Sequence, residues 1–217
     1  MCIRDSGDVA RLEGKLADYE QVRTLLQPLA DVAPIGMGLG NHDDRQNFGQ
    51  VFPSAGPFAD QSVSGKHVVV FEHAVVRVIV LDSLLYVNEV AGLLGKQQRE
   101  WLAGYLTEQD NRPTVLFVHH TLGDEDGELL DVERLYAIVE PHRNVKAIFF
   151  GHSHRYELTR RGRLHLVNLP AVGYNFSDNQ PVGWVEGMFH ETACALTLRA
   201  IGGNRADDGR TITLDWA

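Results

Sequence analysis

The chain has 217 residues, which suits one α/β domain or two small ones, and its 44% hydrophobic content is enough to bury a core. A net charge of −9 provides no basic footprint for nucleic acid and no polybasic stretch for anionic lipid. No apolar run reaches about 18 residues, the length a transmembrane helix needs. Two isolated cysteines, Cys2 and Cys194, form neither a disulfide framework nor a zinc–thiolate site, and we expect both to be inert thiols.

Residues 1–6, MCIRDS, have neither the charged and apolar regions of a signal peptide nor the pattern of a strand leading into Gly7 and Asp8. We expect them to be a non-native leader that precedes a single domain over residues 7–217. A frayed native terminus is the alternative, because chain ends are commonly disordered.

Beyond the leader, apolar stretches with strand character alternate with helical periodicity, which is typical of an α/β fold. Residues 19–29 have helical spacing, with Asp18 as the expected N-cap and Pro28 as a stop signal. Residues 48–65 resemble a loop. Further helices are predicted at 96–106 and after an Asp131 cap, and strands at 32–37, 67–71, 75–81, 114–118, 145–150, 164–169, 182–189, 193–201 and 211–216.

Three of the predicted strands end in polar, histidine-bearing clusters. These are GNHDDR at 40–45, the pair His119 and His120, and GHSHR at 151–155. Ligands bind beyond the carboxyl ends of strands in open α/β sheets, so we expect the three clusters to converge on one place.

Each cluster allows a structural and a functional interpretation. His152 and His154, two apart on a bent loop, can face two neighbouring metals or can be solvent histidines on a turn. Adjacent side chains at a strand end point opposite ways, so one of His119 and His120 can be a ligand and the other a pocket group.

The GNHDD cluster offers a neutral amide ligand in Asn41, beside His42, which can reach a substrate held by the metal. Asp43 could orient the His42 imidazole, although turns are also rich in Asn and Asp. Asp8 could bridge two cations. One Asp, one Asn and three His on successive loops together indicate a metal site.

The order Gly-Asp, Gly-Asn-His-Asp, His-His and Gly-His-Ser-His resembles the calcineurin-like metallophosphoesterase superfamily, from Gly7 to about Pro170. The form GNHDDR and the segment DYEQVRTLLQPL are most similar to the class III cyclic-nucleotide phosphodiesterases, the CpdA-like group. The resemblance implies a four-layer αββα sandwich.

The resemblance also assigns roles to individual residues. Asp8 would bridge two metals, His154 would ligate the first, and Asn41, His119 and His152 would complete the coordination of the second metal. His42 would contact the phosphoryl group or the leaving oxygen, and Asp43 would hold His42. Substrate contacts are expected from Arg45, since arginine binds phosphate well, and from His120; a surface arginine is the alternative for Arg45.

The family's first motif, Asp-x-His on the first strand, has no counterpart before Asp8. The resemblance therefore implies that this chain lacks the first strand and two ligands of the first metal, so that its activity could be impaired. Carboxylate, amide and imidazole donors suit manganese, iron, zinc or cobalt, and the resemblance favours iron with manganese.

The implied function is hydrolysis of a phosphodiester such as 3′,5′-cyclic AMP by a hydroxide that bridges two metals, with His42 donating to the leaving oxygen. The alternatives are a phosphomonoesterase, a diesterase for glycerophospho or nucleotide-lipid substrates, and a catalytically weak or non-enzymatic scaffold. A small phosphoester is the expected partner, nucleic acid is not expected, and a homodimer is left open. The compartment is undetermined, with the cytoplasm as default, because a targeting peptide would lie in the missing part.

The loops at 52–63 and 170–184 are expected to line the mouth of the site. Tyr174, Asn175, Phe176 and Trp184 could stack on a base, and ordinary loop packing is the alternative. We expect Trp101 to be a core anchor, and the remaining histidines to be surface or structural groups: His67, His73, His142, His165 and His190.

Overall fold

The computed structural model describes residues 3–53 and 58–216, with side chains from Asp5 onward. Its helices are α1 (Leu16–Ala30), α2 (Arg45–Val51), α3 (Lys96–Thr107) and α4 (Val132–Val139). Its strands are β1 (Ile3–Asp5), β2 (Ile35–Met37), β3 (Phe58–Asp60), β4 (Val69–Glu72), β5 (Arg77–Val80), β6 (Thr114–Phe117), β7 (Val145–Phe150), β8 (Glu157–Arg161), β9 (Leu164–Asn168), β10 (Pro181–Phe189), β11 (Ala193–Gly203) and β12 (Thr211–Asp215).

A seven-stranded sheet in the order β3-β4-β5-β6-β7-β9-β8 forms the centre of the fold. Strands β5, β6, β7 and β9 run parallel, and the outer strands pair antiparallel. Every residue of β5, β6 and β9 is buried, as expected for near-continuous apolar runs covered on both faces. The parallel register brings the carboxyl ends of these strands to one edge of the sheet.

Alternate side chains of each central strand enter two different cores. Ile79, Leu116 and Ile148 face α3 and α4, where they pack with Leu102 and Leu135. Their strand neighbours face a second sheet in the order β10-β11-β12, in a cluster that includes Val78, Val115, Phe149, Leu196 and Leu214. The two-residue period of a strand therefore divides one apolar run between two layers.

A third apolar cluster lies around the short parallel pair β1–β2, with α1 and α2. Its large buried side chains are those of Tyr19, Met37, Leu39, Phe48 and Leu84. The predicted α/β architecture is confirmed: a mixed central sheet has helices on one face and a smaller sheet on the other. No helix in the described ranges is long and apolar enough to cross a membrane.

The segment before Gly7 contains a strand, contrary to the expectation from its sequence. Strand β1 pairs in parallel with β2, with Ile3 opposite Ile35 and Asp5 opposite Met37. A strand of three residues can pair through its backbone without alternating apolar side chains. The residue pattern of this segment therefore did not indicate a strand. Residues 1 and 2 of the expected leader lie outside the described ranges.

The sequence also misplaced several local features. Helix α1 begins at Leu16, so Asp18 lies within its first turn rather than before it. Asp131 does occupy the N-cap position of α4, but its carboxylate accepts the backbone N–H groups of Leu94 and Gly95 instead. The stretch predicted as a loop contains the end of α2 and strand β3, and β8 was not predicted.

Candidate metal centre

The predicted ligands lie just beyond the carboxyl ends of four strands. Asp8 follows β1, Asn41 follows β2, His119 follows β6, and His152 and His154 follow β7. Strand β6 is parallel to β7, and β1 is parallel to β2, so each pair delivers its loops to the same edge. The convergence expected from the sequence is present.

Asp8 and three histidines form the centre of this edge. Nε2 of His119 lies 3.3 Å from an Asp8 carboxylate oxygen. The ring centroid of His152 lies 5.3 Å from that of His119 and 4.8 Å from that of His120. His154 is set further out, between aromatic rings, but remains close enough for the Asp8 charge to act on its pKa.

Three of the predicted ligands have left-handed backbone conformations. Asp8 has a φ of 58°, His152 of 68° and His154 of 53°. Among the non-glycine residues that the structure describes, Asn88 is the other one with positive φ. This conformation costs roughly 1 kcal/mol per residue or more, and such strain concentrates at functional sites.

Glycines allow the loop that carries Asp8 to approach the loop that carries Asn41. A Cβ atom at Gly40 would collide with the Asp8 carboxylate, and one at Gly7 would collide with the Gly40 backbone. The glycines of the Gly-Asp and Gly-Asn-His-Asp motifs therefore serve contact between the motifs as well as local turning.

Several donor atoms at this edge are buried without a hydrogen-bond partner among the described residues. They are Oδ1 of Asn41, both ring nitrogens of His119, Nε2 of His120 and Nδ1 of His154. Although the His119 ring is within ion-pair distance of Asp8, neither of its nitrogens makes a hydrogen bond to a described residue. Leaving a buried polar atom unpaired costs about 1–3 kcal/mol, and a bound cation would satisfy amide oxygen and imidazole nitrogen alike. The chemistry of these unpaired donors thus suits a metal ion.

The donor set is gathered but does not form a closed cage. Within residues 3–53 and 58–216, no three His, Cys, Asp or Glu side chains are arranged so that together they could hold an ion. Asn41, whose amide oxygen is a neutral donor, is outside that set of residue types. The metal stoichiometry is therefore the quantity that most directly tests this centre.

Electrostatics hold most of these groups in the protonation states that metal ligands need. Burial would raise the pKa of Asp8, but the His119 imidazole and the His42 backbone N–H outweigh it and keep that pKa well below its usual range. Burial, with help from His119, lowers the pKa of His120 to about 2 and that of His152 to about 4. Burial also lowers the pKa of His154.

His42 lies beside this cluster and is fixed by two contacts. Its backbone N–H donates to Asp8 Oδ1 over 3.0 Å, and its Nδ1 lies 3.0 Å from the Leu12 carbonyl. A carbonyl oxygen can only accept, so Nδ1 carries the proton and Nε2 is the nitrogen available to a substrate. The ring is half-buried, which leaves it accessible.

Asp43 does not hold His42, contrary to the role that the resemblance implied. Its buried carboxylate accepts the backbone N–H groups of Val9, Ala10 and Gly40 and the hydroxyl of Tyr19. The His42 ring contacts the Leu12 carbonyl instead, so the two side chains have different partners. Asp43 instead binds the loop after Asp8 to the loop around Asn41.

Arg45 is neither a free phosphate ligand nor an ordinary surface arginine. Its guanidinium donates to both carboxylate oxygens of buried Asp82, over 2.6 and 2.9 Å, and to the Leu84 carbonyl. A bidentate pair of this kind engages the donors that a phosphate would use. Arg45 therefore anchors the loop after β5.

His120 is also fixed by residues after β5. Ser83 Oγ lies 2.7 Å from His120 Nδ1, and a Cβ atom at Gly92 would collide with the ring. Asp82 and Ser83 were missed as site residues by sequence reasoning. The available signal was their position directly after a buried apolar strand, as for the other three clusters.

The aromatic segment lies partly where it was expected. Phe176 stacks on His154 with centroids 4.2 Å apart, and Tyr174 meets the same ring edge-on at 4.6 Å. Asn175 is not available to a base, because its amide donates to the Ser177 and Gln180 carbonyls. The other mouth loop includes residues 54–57, which lie outside the described ranges.

The histidines predicted to be structural include two with clear partners. His67 Nε2 lies 3.1 Å from the Met37 carbonyl, and His165 Nε2 lies 2.9 Å from the Asp215 carbonyl. Trp101 packs against the helix-side core, as predicted.

The sequence model of the calcineurin-like phosphoesterase family matches residues 5–156, more than two thirds of the chain. The chain belongs to this family. The match begins at the end of β1 and ends just after His154, so it contains every predicted ligand. The fold of this calcineurin-like phosphoesterase is similar to that of a dimetal phosphatase from Danio rerio, with a TM-score of 0.73 at 15% identity, over 100% of this chain and 84% of that one.

Two curated relatives are similar along most of the chain. The glycerophosphodiester phosphodiesterase GpdQ of Enterobacter lignolyticus is 28% identical over 186 residues, covering 81% of this chain and 65% of that protein. The 3′,5′-cyclic adenosine monophosphate phosphodiesterase CpdA of Haemophilus influenzae is 26% identical over 211 residues, covering 90% and 70%. The chain therefore spans 65% of the length of the first relative.

Proposed function

We propose that this chain hydrolyses a small phosphodiester of the 3′,5′-cyclic AMP type, with two transition-metal ions as cofactors. The proposal rests on two features of one cluster. Asp8, His152 and His154 have strained backbone conformations, and buried donor atoms of Asn41 and His119 lack hydrogen-bond partners. The name of the CpdA relative supports a cyclic nucleotide as substrate.

Iron and manganese are the proposed metals, with zinc or cobalt as alternatives, because the donors are oxygen and imidazole nitrogen without thiolate. When bound, such ions acidify water and neutralise phosphoryl oxygens. Asp8 lies between the His119 side and the His42 loop, which suits a carboxylate shared by two ions.

His42 is proposed as the group that delivers a proton to the leaving oxygen. Its Nδ1–H is bonded to the Leu12 carbonyl, so proton donation requires the imidazolium form, in which Nε2 carries a second proton. The bond from its backbone N–H to Asp8 keeps the ring beside the metal ligands. Asp43 contributes to the site indirectly, because it holds the Asp8 and Asn41 loops together.

A glycerophosphodiester is the second candidate substrate, and the name of the GpdQ relative favours it. A phosphomonoesterase, a nucleotide-lipid diesterase and a catalytically weak or non-enzymatic scaffold are the remaining alternatives. The phosphomonoesterase and the scaffold differ from the main proposal in their response to simple chromogenic esters.

The test is hydrolysis of bis-p-nitrophenyl phosphate against p-nitrophenyl phosphate by protein loaded with manganese or iron. We expect faster hydrolysis of the diester, and a kcat about 10²- to 10⁴-fold lower in His42→Ala with unchanged metal stoichiometry. The matched control is His73→Ala, an exposed histidine of the hairpin. Hydrolysis of the monoester alone would favour a phosphomonoesterase, and turnover of neither ester would favour the scaffold.

A further inference from the structure

A polar cleft of about 560 Å³ opens directly beside the predicted metal ligand His154. One wall is the connection from β7 to β8, and the other is the segment before β10. Its lining includes Ser153, His154, Tyr156, Phe176, Asn179 and Gln180. The volume is within the usual range for small-molecule sites, and the position places any occupant beside the predicted metal ligand His154.

The cleft presents an exposed aromatic face. One face of Phe176 is covered by the parallel His154 ring, with an interplanar angle of 13°, yet 69% of the residue is exposed. Tyr174, 58% exposed, lies 5.6 Å from Phe176 and nearly perpendicular to it. Two exposed aromatic rings that adjoin a cleft are typical of a ligand site, whereas a single exposed ring would need no explanation.

The segment that carries Phe176 is held in place by its own hydrogen bonds. The Asn175 amide donates to the Ser177 and Gln180 carbonyls, over 2.9 and 2.8 Å. The Gln180 side chain accepts the backbone N–H of Tyr156 over 2.9 Å and so ties the two walls together. A rigid ring costs a ligand less ordering entropy than a mobile one.

The charges around the cleft favour a neutral occupant. Arg155 and Glu157, one cation and one anion, both contribute to the lining, so the cleft has no net attraction for a phosphate. The phosphoryl group belongs beside Asp8 and the histidines. A substrate group with a flat apolar face and polar edges matches Phe176 together with the amides of Asn179 and Gln180.

We infer that this cleft binds the nucleobase of a nucleotide diester, with the base stacked on Phe176. The inference rests on the proposed diesterase function and deepens it, because it selects a nucleotide over a glycerol-type alcohol. Glycerol has no π face and gains nothing from an exposed ring. Phe176 is thus a specificity-determining residue.

The test compares cyclic AMP with glycerophosphoethanolamine, a diester without an aromatic ring, in the metal-loaded protein. Phe176→Leu keeps an apolar side chain over His154 but removes the π face. We expect it to raise the KM for cyclic AMP about tenfold and to leave kcat/KM for glycerophosphoethanolamine unchanged. The control is Met188→Ala, an exposed apolar residue of β10 outside the cleft lining, which should change neither substrate.

An equal loss of kcat/KM for both substrates would overturn the inference, because it would mean that Phe176 only supports His154. Calorimetric titration with AMP separates this inference from the proposed function. If neither diester is hydrolysed, the diesterase proposal fails, while AMP affinity about tenfold weaker in Phe176→Leu would still support the subsite. AMP binding that is absent, or equal in both proteins, would overturn it.

Discussion

The backbone N–H of Asn88 donates to the backbone carbonyl of Asn41 over 2.6 Å. This bond joins the loop after β5 to a predicted metal ligand whose own amide oxygen is buried and unpaired. Asn88 has a φ of 67°, and the other non-glycine residues with positive φ in the described ranges are Asp8, His152 and His154. A strained backbone conformation therefore occurs both in this loop and at three of the predicted metal ligands.

The loop that carries Asn88 is fixed at its base. Leu84 bridges to Gly92, and the Leu84 N–H donates to buried Asp82. The Leu84 carbonyl in turn accepts from Arg45 and from Lys66. These contacts close the base of the loop and hold the Asn88 backbone N–H in place. The orientation of Asn41 is therefore set by a residue outside the loop that carries Asn41.

Substitution of Asn88 should separate this positioning role from general stability. Asn88→Gly should bind manganese as the unmodified protein does, because glycine adopts positive φ without strain. Asn88→Val should weaken manganese affinity about tenfold, since a β-branched residue in this conformation costs at least about 1–2 kcal/mol. Calorimetry measures the affinity. A valine variant with a lower Tm but unchanged manganese affinity would show that the contact is merely structural.

Asp43 is expected to act on stability rather than on proton transfer. Asp43→Ala should lower the free energy of unfolding by about 2–4 kcal/mol, because three backbone N–H groups and the Tyr19 hydroxyl lose their acceptor. Tyr19→Phe removes one of these bonds and also the acceptor of the Asp44 backbone N–H, so it should cost about 1–3 kcal/mol. Urea unfolding checks both values. A large fall in kcat with unchanged stability would restore the role of orienting His42.

Glu72 should contribute to stability in a pH-dependent way. Its carboxylate accepts from buried Arg77, from Tyr105 and from Arg112. Burial alone would raise its pKa, but the bonds to Arg77 and Tyr105 and the charges of Arg77 and Arg112 together outweigh burial and lower the pKa below its ordinary value of 4.5. The stabilisation is therefore fully present above pH 4.5 and is lost as the pH falls through the lower, folded-state value.

Urea unfolding at pH 6 and at pH 3.5 measures this effect. Glu72→Gln should lower stability more at pH 6 than at pH 3.5, because at pH 3.5 the Glu72 carboxyl of the unfolded chain is largely protonated and part of the stabilisation is already lost. Glu20→Gln, on the exposed side of α1, is the control and should change little at either pH. An equal loss at both pH values in Glu72→Gln would contradict the prediction.

Cys194 should be chemically inert in the folded protein. Its side chain is fully buried within the core between the two sheets, and burial raises the pKa of the thiol to about 12. The thiolate is the reactive form, so reaction with a disulfide reagent at pH 8 should be negligible until the protein unfolds. A Cys2→Ser background isolates the signal. Rapid labelling of the folded protein would show that this core opens.

Much of the fold could be predicted because its signals are local. Strand β7 was predicted with its bounds unchanged, and α3 to within one residue, since a buried apolar run and a 3.6-residue period lie within a single segment. Strands β1 and β8 were missed for the opposite reason. One has three residues and the other is largely exposed, so each is stabilised mainly by pairing with a partner strand.

The sequence by itself determined which donors this protein has and the order of the loops that carry them. Gly40, Asn41 and His42 follow one strand and Gly151 to His154 another, and the parallel arrangement predicted from the apolar runs brings such ends together. The family match over residues 5–156 includes both loops.

Only the tertiary structure decided what each polar side chain contacts. Asp43 accepts from Ala10, 33 residues away, and Arg45 pairs with Asp82, 37 residues away. Partners at such separations are chosen by packing of whole layers, and no periodicity within either segment encodes them. The physical reason is that a buried polar atom must find a partner wherever the fold places one, so its partner is a property of the assembled core.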